Sequence, residues 1–479
     1  MTGQPASFAE DLPAERPQRI CVVGAGYVGL TAAACFAHLG HYVHCIESDP
    51  ARLGMLAKGE IPIHEPGLAE LVQEGMSSGR LRFGNDPAEA LEGAAVAFLC
   101  VGTPPRSDGE PNLTYLAEAA RQLARVTDHS LALVVKSTVP PGSCEAIELV
   151  CDEVTAEGIS VSVVSSPEFL RESKAVWDFL NPDRVVVGAA DAQVADLVAS
   201  LYPPGVPVVR CDRRGAELVK YAANAFLAVK ISFANEVAAL CEKLGTNSAT
   251  VLEGVGLDHR VGREFLNPGP GYGGSCLPKD VSGFMAVGRS VHSPTPVVTA
   301  AAEMNLLARR SVLDKLAGSL GTLEGRRIAL LGLAFKAGTD DTRDSPAIAL
   351  GKALVGEGAH VVAYDPLARV DLVGMERVPS ALQAARGAEA LVVATAWEEF
   401  AELGPQTLGE EMAGRVICDA VGIVDLESFS EAGFVSLGVG RGEPPSFHPV
   451  VWAPLRWAHT TDTCEPVTGA ANGNEAHAA

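Results

Sequence analysis

The sequence is poor in aromatic residues and short of cations. Phe, Trp and Tyr make up 5% of its 479 residues, and 37 Lys and Arg stand against 59 Asp and Glu, for a net charge of -22. That imbalance opposes non-specific binding to nucleic acid or to an acidic membrane surface, so neither partner is expected. An anionic substrate would have to be drawn in by local arginines and lysines. No window reaches the roughly 18–20 apolar residues of a membrane span. The longest runs, such as "VAFLCVG" and "LALVV", have strand length. The N-terminus lacks the basic start and apolar run of a signal peptide. The eleven cysteines are scattered, odd in number and without a CxxC pair, so neither a disulfide framework nor a metal site is indicated. A cytoplasmic setting is expected.

What is present is the composition of a globular protein, 47% hydrophobic and 20% charged, long enough for about three domains. The first 17 residues read as a loose polar tail. "RICVVGAGYVGLTAAACFAHLGHYVHCIESD" then runs apolar strand, glycine turn, small-residue helix and apolar strand, a βαβ unit. Further strands are expected at "AVAFLCVG", "LALVVKST", "VSVVSSP" and "RVVVG", the rhythm of a doubly wound parallel sheet over residues 18–212. From Gly215 to Gly245 the chain has no proline and shows helical spacing, predicting one long helix within a helical segment, 213–320. "RRIALLGLAF", "HVVAYDP", "ALVVATAW" and "RVICDAVG" predict a second parallel sheet over 321–444, and residues 445–479 read as a disordered tail. The expected fold is α/β: two Rossmann-like doubly wound sheets joined by a helical centre.

Gly24, Gly26 and Gly29 follow the first strand in GxGxxG spacing and open a helix. Such a turn lets a pyrophosphate approach the backbone at a helix N-terminus. Glu47, at the end of the next strand, suits ribose hydroxyls and repels a 2′-phosphate, which predicts NAD rather than NADP. Lys220 and Asn224 share a helix face at i,i+4, and together suit an oxyanion as readily as the lysine alone suits solvent. Cys276 sits in "GPGYGGSCLPKD", where glycines expose its sulfur and Lys279 would favour the thiolate, a covalent catalyst for carbonyl chemistry. Asp280 is a candidate base. Glu168 and Glu172 in "SSPEFLRES" follow a strand end, and Lys336 and Arg343 in "FKAGTDDTRDSP" follow another; each group suits a site or a solvated loop.

Together "VVGAGYVGL", "EPGL", "VGTP", "VKSTVPPG", "SPEFLRESKAVWDFLNPDRVVVG", "ELVKYAANAFLAVKISFANE", "GPGYGGSCLPKD" and "FKAGTDDTRDSP" resemble the UDP-glucose and GDP-mannose dehydrogenase family, in order, over about residues 18–440. The resemblance implies an NAD domain, a dimerising helical centre and a domain that closes over a nucleotide sugar. It implies oxidation of the sugar C6 alcohol to a carboxylate with two NAD in turn, through a thiohemiacetal and a thioester on Cys276. Lys220 and Asn224 would then stabilise oxyanions. Asp280, with a water near Thr138, would move protons, and Glu168 would assist thioester formation and hydrolysis. NAD would meet Gly24, Gly26, Tyr27, Val28, Gly29, Glu47, Arg52, Thr103, Thr138, Glu172, Lys279 and Arg343. The sugar nucleotide would meet Phe169, Leu170, Lys220, Asn224, Arg260, Phe265, Gly273, Phe335 and Lys336, with Arg260 reaching the partner's site in a homodimer or larger assembly.

The mixed motifs lean toward UDP-glucose and leave dTDP-glucose and GDP-mannose open. Two departures from the family pattern stand out: "DAVGIVD" (Asp419–Asp425) in place of D-x-R-N, and Asn112-Leu113 in place of D-L. A single-step β-hydroxyacid dehydrogenase would have no use for the cysteine loop or the second sheet. An NAD-sensing scaffold would not need Cys276, Lys220, Asn224 and Asp280 all intact.

Overall fold

Two sheets flank a bundle of long helices in the computed structural model, which describes residues 17–106 and 109–442. The expected N-terminal tail (apart from Pro17) and the expected C-terminal tail lie outside the described residues. The first sheet comprises β1 (Arg19–Val23), β2 (Tyr42–Ile46), β3 (Leu81–Gly84), β4 (Val96–Leu99), β5 (Leu131–Val135), β6 (Val161–Ser165), β7 (Val185–Gly188) and β8 (Val208–Cys211). Its order is β3-β2-β1-β4-β5-β6-β7-β8. The second comprises β9 (Arg327–Leu331), β10 (His360–Tyr364), β11 (Met375–Arg377), β12 (Ala390–Val393), β13 (Val416–Asp419) and β14 (Val435–Gly438), in the order β11-β10-β9-β12-β13-β14. The central strands β4, β5, β12 and β13 are buried along their whole length. Helices cover both faces of these sheets, which is why their sequences read as unbroken apolar runs.

Every pairing is parallel except one. β7 meets β6 antiparallel through Ser165 and Gly188, so the first sheet departs there from the uniformly parallel arrangement expected. Apolar periodicity carries no strand direction. In each sheet the order reverses beside the first strand, between β1 and β4 and between β9 and β12. Open α/β sheets form their ligand crevices outside the strand ends at such a reversal.

The helix Arg213–Leu244 starts where the Asp212 side chain accepts the Gly215 N–H and stops at Gly245, whose φ of 67° admits a left-handed turn. Against the expectation that no window is apolar enough for a membrane span, it is the one described helix that passes by length and composition, with 44% of the qualifying window buried. Helices Leu277–Ser290 and Pro296–Leu320 pack along it. The chain returns to the end of this helix after β14. Gly440 N–H donates to Glu242 at 2.7 Å, Ser248 N–H to the Gly440 carbonyl at 2.9 Å, and Gly442 N–H to the Thr246 carbonyl at 3.2 Å.

Candidate active site

The glycines of "GPGYGGSCLPKD" are needed for close approach. Gly271 (φ 107°) lies so near Asn305 that a Cβ would come within 2.3 Å of its Oδ1. A Cβ on Gly273 would lie 2.3 Å from the Asp344 carbonyl, and one on Gly274 (φ 85°) 2.7 Å from the Phe335 ring. Two buried amides hold the loop. Asn235 Oδ1 accepts Gly269 N–H at 2.8 Å, while Asn305 accepts from Tyr272 N–H at 2.7 Å and donates to its carbonyl at 3.1 Å. The loop is thereby pinned to both long helices and pressed against the second sheet. Cys276 sits at its end, capping the helix Leu277–Ser290.

Around the thiol lies a buried polar cluster. Lys220 Nζ donates to Glu168 at 2.8 Å, Glu168 also accepts Leu170 N–H at 2.6 Å, and Asn224 donates to Asp280 at 2.5 Å. Asp280 is wholly withdrawn from solvent, and Lys220 and Glu168 are nearly so. Burial acts to raise the Glu168 carboxyl, but Lys220, the Leu170 N–H and Lys136 together hold the group below its ordinary range. Burial likewise disfavours the Lys220 ammonium, yet Glu168, Cys276 and Asp280 together hold it above its usual value.

Two expectations are corrected here. Lys279 was expected beside the thiol, but its ammonium closes on Asp280 at 2.5 Å, and Lys220 is the cation whose charge bears on the sulfur. Nor is the thiol pushed toward thiolate. Burial raises it above its ordinary value, the Glu168 charge adds to that, and Lys220 only partly opposes them. Spacing along a helix placed Lys279 near Cys276 in sequence without showing that a neighbouring carboxylate would capture it.

Glu172 links the loop to the second sheet. Its Oε1 accepts from Ser275 at 3.0 Å and faces Arg343 at 3.5 Å, its carbonyl accepts from Lys336, and its Oε2 is buried beside Asp341. Burial, with Asp341 nearby, lifts its pKa to about 7. The Ser275 hydroxyl also lies 3.5 Å from Cys276 Sγ.

The glycine turn fits a dinucleotide. Gly24 has φ 95°, and a Cβ on Gly29 would lie 1.8 Å from the Gly24 carbonyl, so the helix Tyr27–His38 packs tightly under the turn. A Cβ on Gly26 would meet no atom within 4 Å, and no side chain caps that helix. The space and the free N–H groups suit a pyrophosphate. Glu47, buried at the end of β2, accepts Ala25 and Asp49 N–H and pairs with Arg52 at 3.4 Å, in position for ribose hydroxyls. Thr103 donates to the Thr138 carbonyl at 3.0 Å, joining the ends of β4 and β5. Tyr27 donates to Glu65 and accepts Ser173 N–H at 2.8 Å, which connects the glycine turn to the Glu172 segment.

A cavity of about 690 Å³ brings together Glu168, Phe169, Leu170, Glu172, Lys220, Asn224, Phe265, Gly273, Cys276, Phe335 and Lys336. Asp280 lies just beneath it through Asn224. The glycine turn, Glu47, Thr103, Thr138 and Arg260 do not line it; Arg260 is exposed and bound to Asp258. Among the lining residues that escaped the sequence reading are Lys136, Ser275 and Arg184. The guanidinium of Arg184 lies 3.7 Å from the Phe169 ring centroid. Lys136 and Arg184 stand inside motifs already quoted, so position at a strand end was the signal available. Among the described residues no His, Cys, Asp and Glu cluster could hold a metal.

Models of three domains of the UDP-glucose/GDP-mannose dehydrogenase family match the chain: the NAD binding domain over residues 18–206, the central domain over 214–306 and the UDP binding domain over 329–426. The chain is 42% identical over 435 residues to the UDP-glucose 6-dehydrogenase of Rhizobium meliloti, covering 88% of this chain and 99% of that protein. It is 38% identical over 430 residues to UDP-glucose 6-dehydrogenase TuaD of Bacillus subtilis, covering 88% and 93%. The solved UDP-glucose dehydrogenase of Pyrobaculum islandicum superposes with a TM-score of 0.83 at 38% identity, over 90% of this chain and all of that one.

Proposed function

The chain belongs to the UDP-glucose/GDP-mannose dehydrogenase family and is an NAD-dependent nucleotide-sugar dehydrogenase; from that premise we propose that it oxidises the C6 alcohol of UDP-glucose to the carboxylate through a thiohemiacetal and a thioester on Cys276. The observation that carries the chemistry is the convergence of Cys276, Lys220, Glu168 and Asn224 on one cavity. The names of the curated relatives support UDP-glucose over other sugar nucleotides. The unusual "DAVGIVD" segment does not weigh against this. Asp419 is occupied by the N–H groups of Val421, Gly422 and Val424, and no residue of the segment lines the cavity.

Bound NAD would supply the acceptor for the hydride lost from C6 in each of the two oxidations, and the O6 proton of the alcohol would pass toward Asp280 and the water near Thr138 in the first. Lys220 and Asn224 present N–H donors to O6, stabilising negative charge where it develops in a water-poor site. Cys276 Sγ bonds to the aldehyde C6, the carbonyl pair moves onto O6, and the thiol proton passes toward Asp280 and a water near Thr138. Holding the aldehyde as an adduct prevents its escape. After the second oxidation water adds to the thioester carbon, the C–S bond breaks, and Cys276 recovers its proton, with Glu168 as the carboxylate that assists. Glu47, Arg52, Thr103 and the glycine turn would hold the cofactor, with Tyr27, Val28, Glu172, Lys279 and Arg343 around it. Phe169, Leu170, Phe265, Gly273, Phe335 and Lys336 would hold the sugar nucleotide.

A homodimer is part of the reading. Phe226, Phe233 and Leu240 recur every seven residues along the long helix, and all are exposed, as is Leu244. A second copy laid along this stripe would cover it. The exposed Arg260 would then be available to the partner's cavity. All ten cysteines among the described residues are free, in keeping with a reducing cytoplasm.

Stoichiometry tests the reading. Purified protein should form two NADH per UDP-glucose without releasing aldehyde. One NADH per sugar, or undiminished turnover in Cys276→Ala, would overturn it, and a panel of UDP-glucose, dTDP-glucose and GDP-mannose assigns the base and sugar.

A further inference from the structure

Behind Glu168 lies a second buried cation that the reaction just described does not use. Lys136 follows β5 directly and is 3% exposed. Among the described residues it forms no ion pair. Its Nζ donates to the Tyr202 hydroxyl at 2.9 Å and lies 5.3 Å from that ring's centroid and 5.9 Å from those of Phe98 and Phe179. A buried ammonium without a counter-ion is costly, and aromatic faces with one neutral hydrogen bond offset only part of that cost. An apolar side chain would fill this aromatic box at least as well. The charge must therefore matter to something nearby.

Glu168 is the candidate. β5 and β6 are neighbours with Val135 paired to Ser165, and Ser166 N–H donates to the Val135 carbonyl at 3.0 Å. Lys136 and the segment to Glu168 thus leave the sheet side by side, and both residues line the cavity. The titratable groups facing Glu168 are Lys220 from the long helix, Cys276 from the cysteine loop, Cys100 from the end of β4, and Lys136. Of these described groups the two lysines are the cations. Once a sugar oxygen is bound, Lys220 must divide its three N–H donors and its charge between that oxygen and Glu168. A buried carboxylate left alone would take up a proton and lose an acceptor oxygen.

We propose that Lys136 is a positioning residue of the oxidation, keeping Glu168 ionised while the Lys220 ammonium turns to the sugar oxygen. This rests on the reaction assigned above. The charge of Lys136 already contributes, behind Lys220 and the Leu170 N–H, to holding Glu168 below its ordinary range against the effect of burial.

The test is the pH profile of turnover in Lys136→Met, which keeps the shape and removes the charge. Removing the cation relieves its desolvation but costs Glu168 a favourable charge, so its melting temperature should stay close to that of the unmodified protein. Loss of a nearby cation raises a carboxyl pKa, so the acid limb of kcat should move to higher pH by about one unit. Lys136→Gln should show the same displacement. Lys136→Arg and Tyr202→Phe, which keep a cation in the box, should leave the limb close to its original place. An unmoved limb in both neutral variants overturns the proposal, and so does a uniform fall in kcat at every pH. Failure of the reaction assignment would show separately, as NADH-to-sugar stoichiometry other than two in the unmodified protein.

Discussion

Lys220 and Glu168 meet at 2.8 Å although 52 residues separate them, and both side chains are almost fully buried. Breaking one half of such a pair leaves the other uncompensated. Lys220→Met should lower stability at pH 7 by roughly 3–5 kcal/mol. Because protonation of Glu168 relieves the lone charge, the deficit should shrink as the pH is lowered. Urea unfolding of both proteins at pH 7 and pH 5 checks this, and an equal deficit at both would show that the pair is not electrostatic in origin.

Glu172 titrates in the opposite sense. Its folded pKa of about 7, raised by burial and Asp341, lies above the roughly 4.3 of an unfolded glutamate. The folded state therefore binds the extra proton between those values, and this group's contribution to stability declines as the pH rises through that window. Glu172→Gln should be more stable than the unmodified protein at pH 8, with the advantage fading toward pH 5. Thermal unfolding at the two values decides it.

The Cys276 thiol is raised by burial and by Glu168, so the free protein should hold it protonated at neutral pH. Carbamidomethylation by iodoacetamide, followed on the Cys276 peptide, should be slow at pH 7 and climb through pH 9 and beyond. A plateau reached below pH 8 would contradict the structure. Cys276→Ala should abolish formation of the carboxylate.

The glycine turn separates binding from folding. Gly26→Ala adds a methyl group where nothing lies within 4 Å, so the melting temperature should hold while the KM for NAD rises at least about tenfold, a loss near 1.4 kcal/mol. Gly29→Ala forces a Cβ to 1.8 Å from the Gly24 carbonyl. It should destabilise the fold itself, visible as a lowered melting temperature without any ligand.

The exposed stripe on the long helix predicts an assembly. Phe233→Glu combined with Leu240→Glu should convert dimer to monomer in sedimentation experiments. If the unmodified protein sediments as a monomer at micromolar concentration, the stripe has another purpose.

Local features were the legible ones. Gly245 ended the long helix as its composition implied, and the strands buried on both faces announced themselves as apolar runs. β3, β8, β11 and β14, with sequences such as "LRFG" and "MER", did not, since short strands at or near a sheet edge need few apolar residues. The same holds at the site. Cys276, Lys220 and Asn224 stood out by type and spacing, whereas the partner of Lys220 and the capture of Lys279 by Asp280 depend on which segments the fold brings together. The aromatic box around Lys136 draws on β4, the helix Ala175–Leu180 and Tyr202; no single window contains it.

The return of the chain to Glu242 and Thr246 after β14 constrains motion. The last sheet is fastened where the helix Pro296–Leu320 enters it and again where Gly440–Gly442 dock on the end of the long helix. A body tethered at two points turns most easily about the line through them, like a door on two hinges. Phe335, Lys336 and Arg343, after β9, form the latch of that door, Lys336 and Arg343 on Glu172 and the Phe335 ring on Gly274. A side chain at Gly274 would strain its left-handed backbone and press on the Phe335 ring, while leaving the hinge contacts untouched.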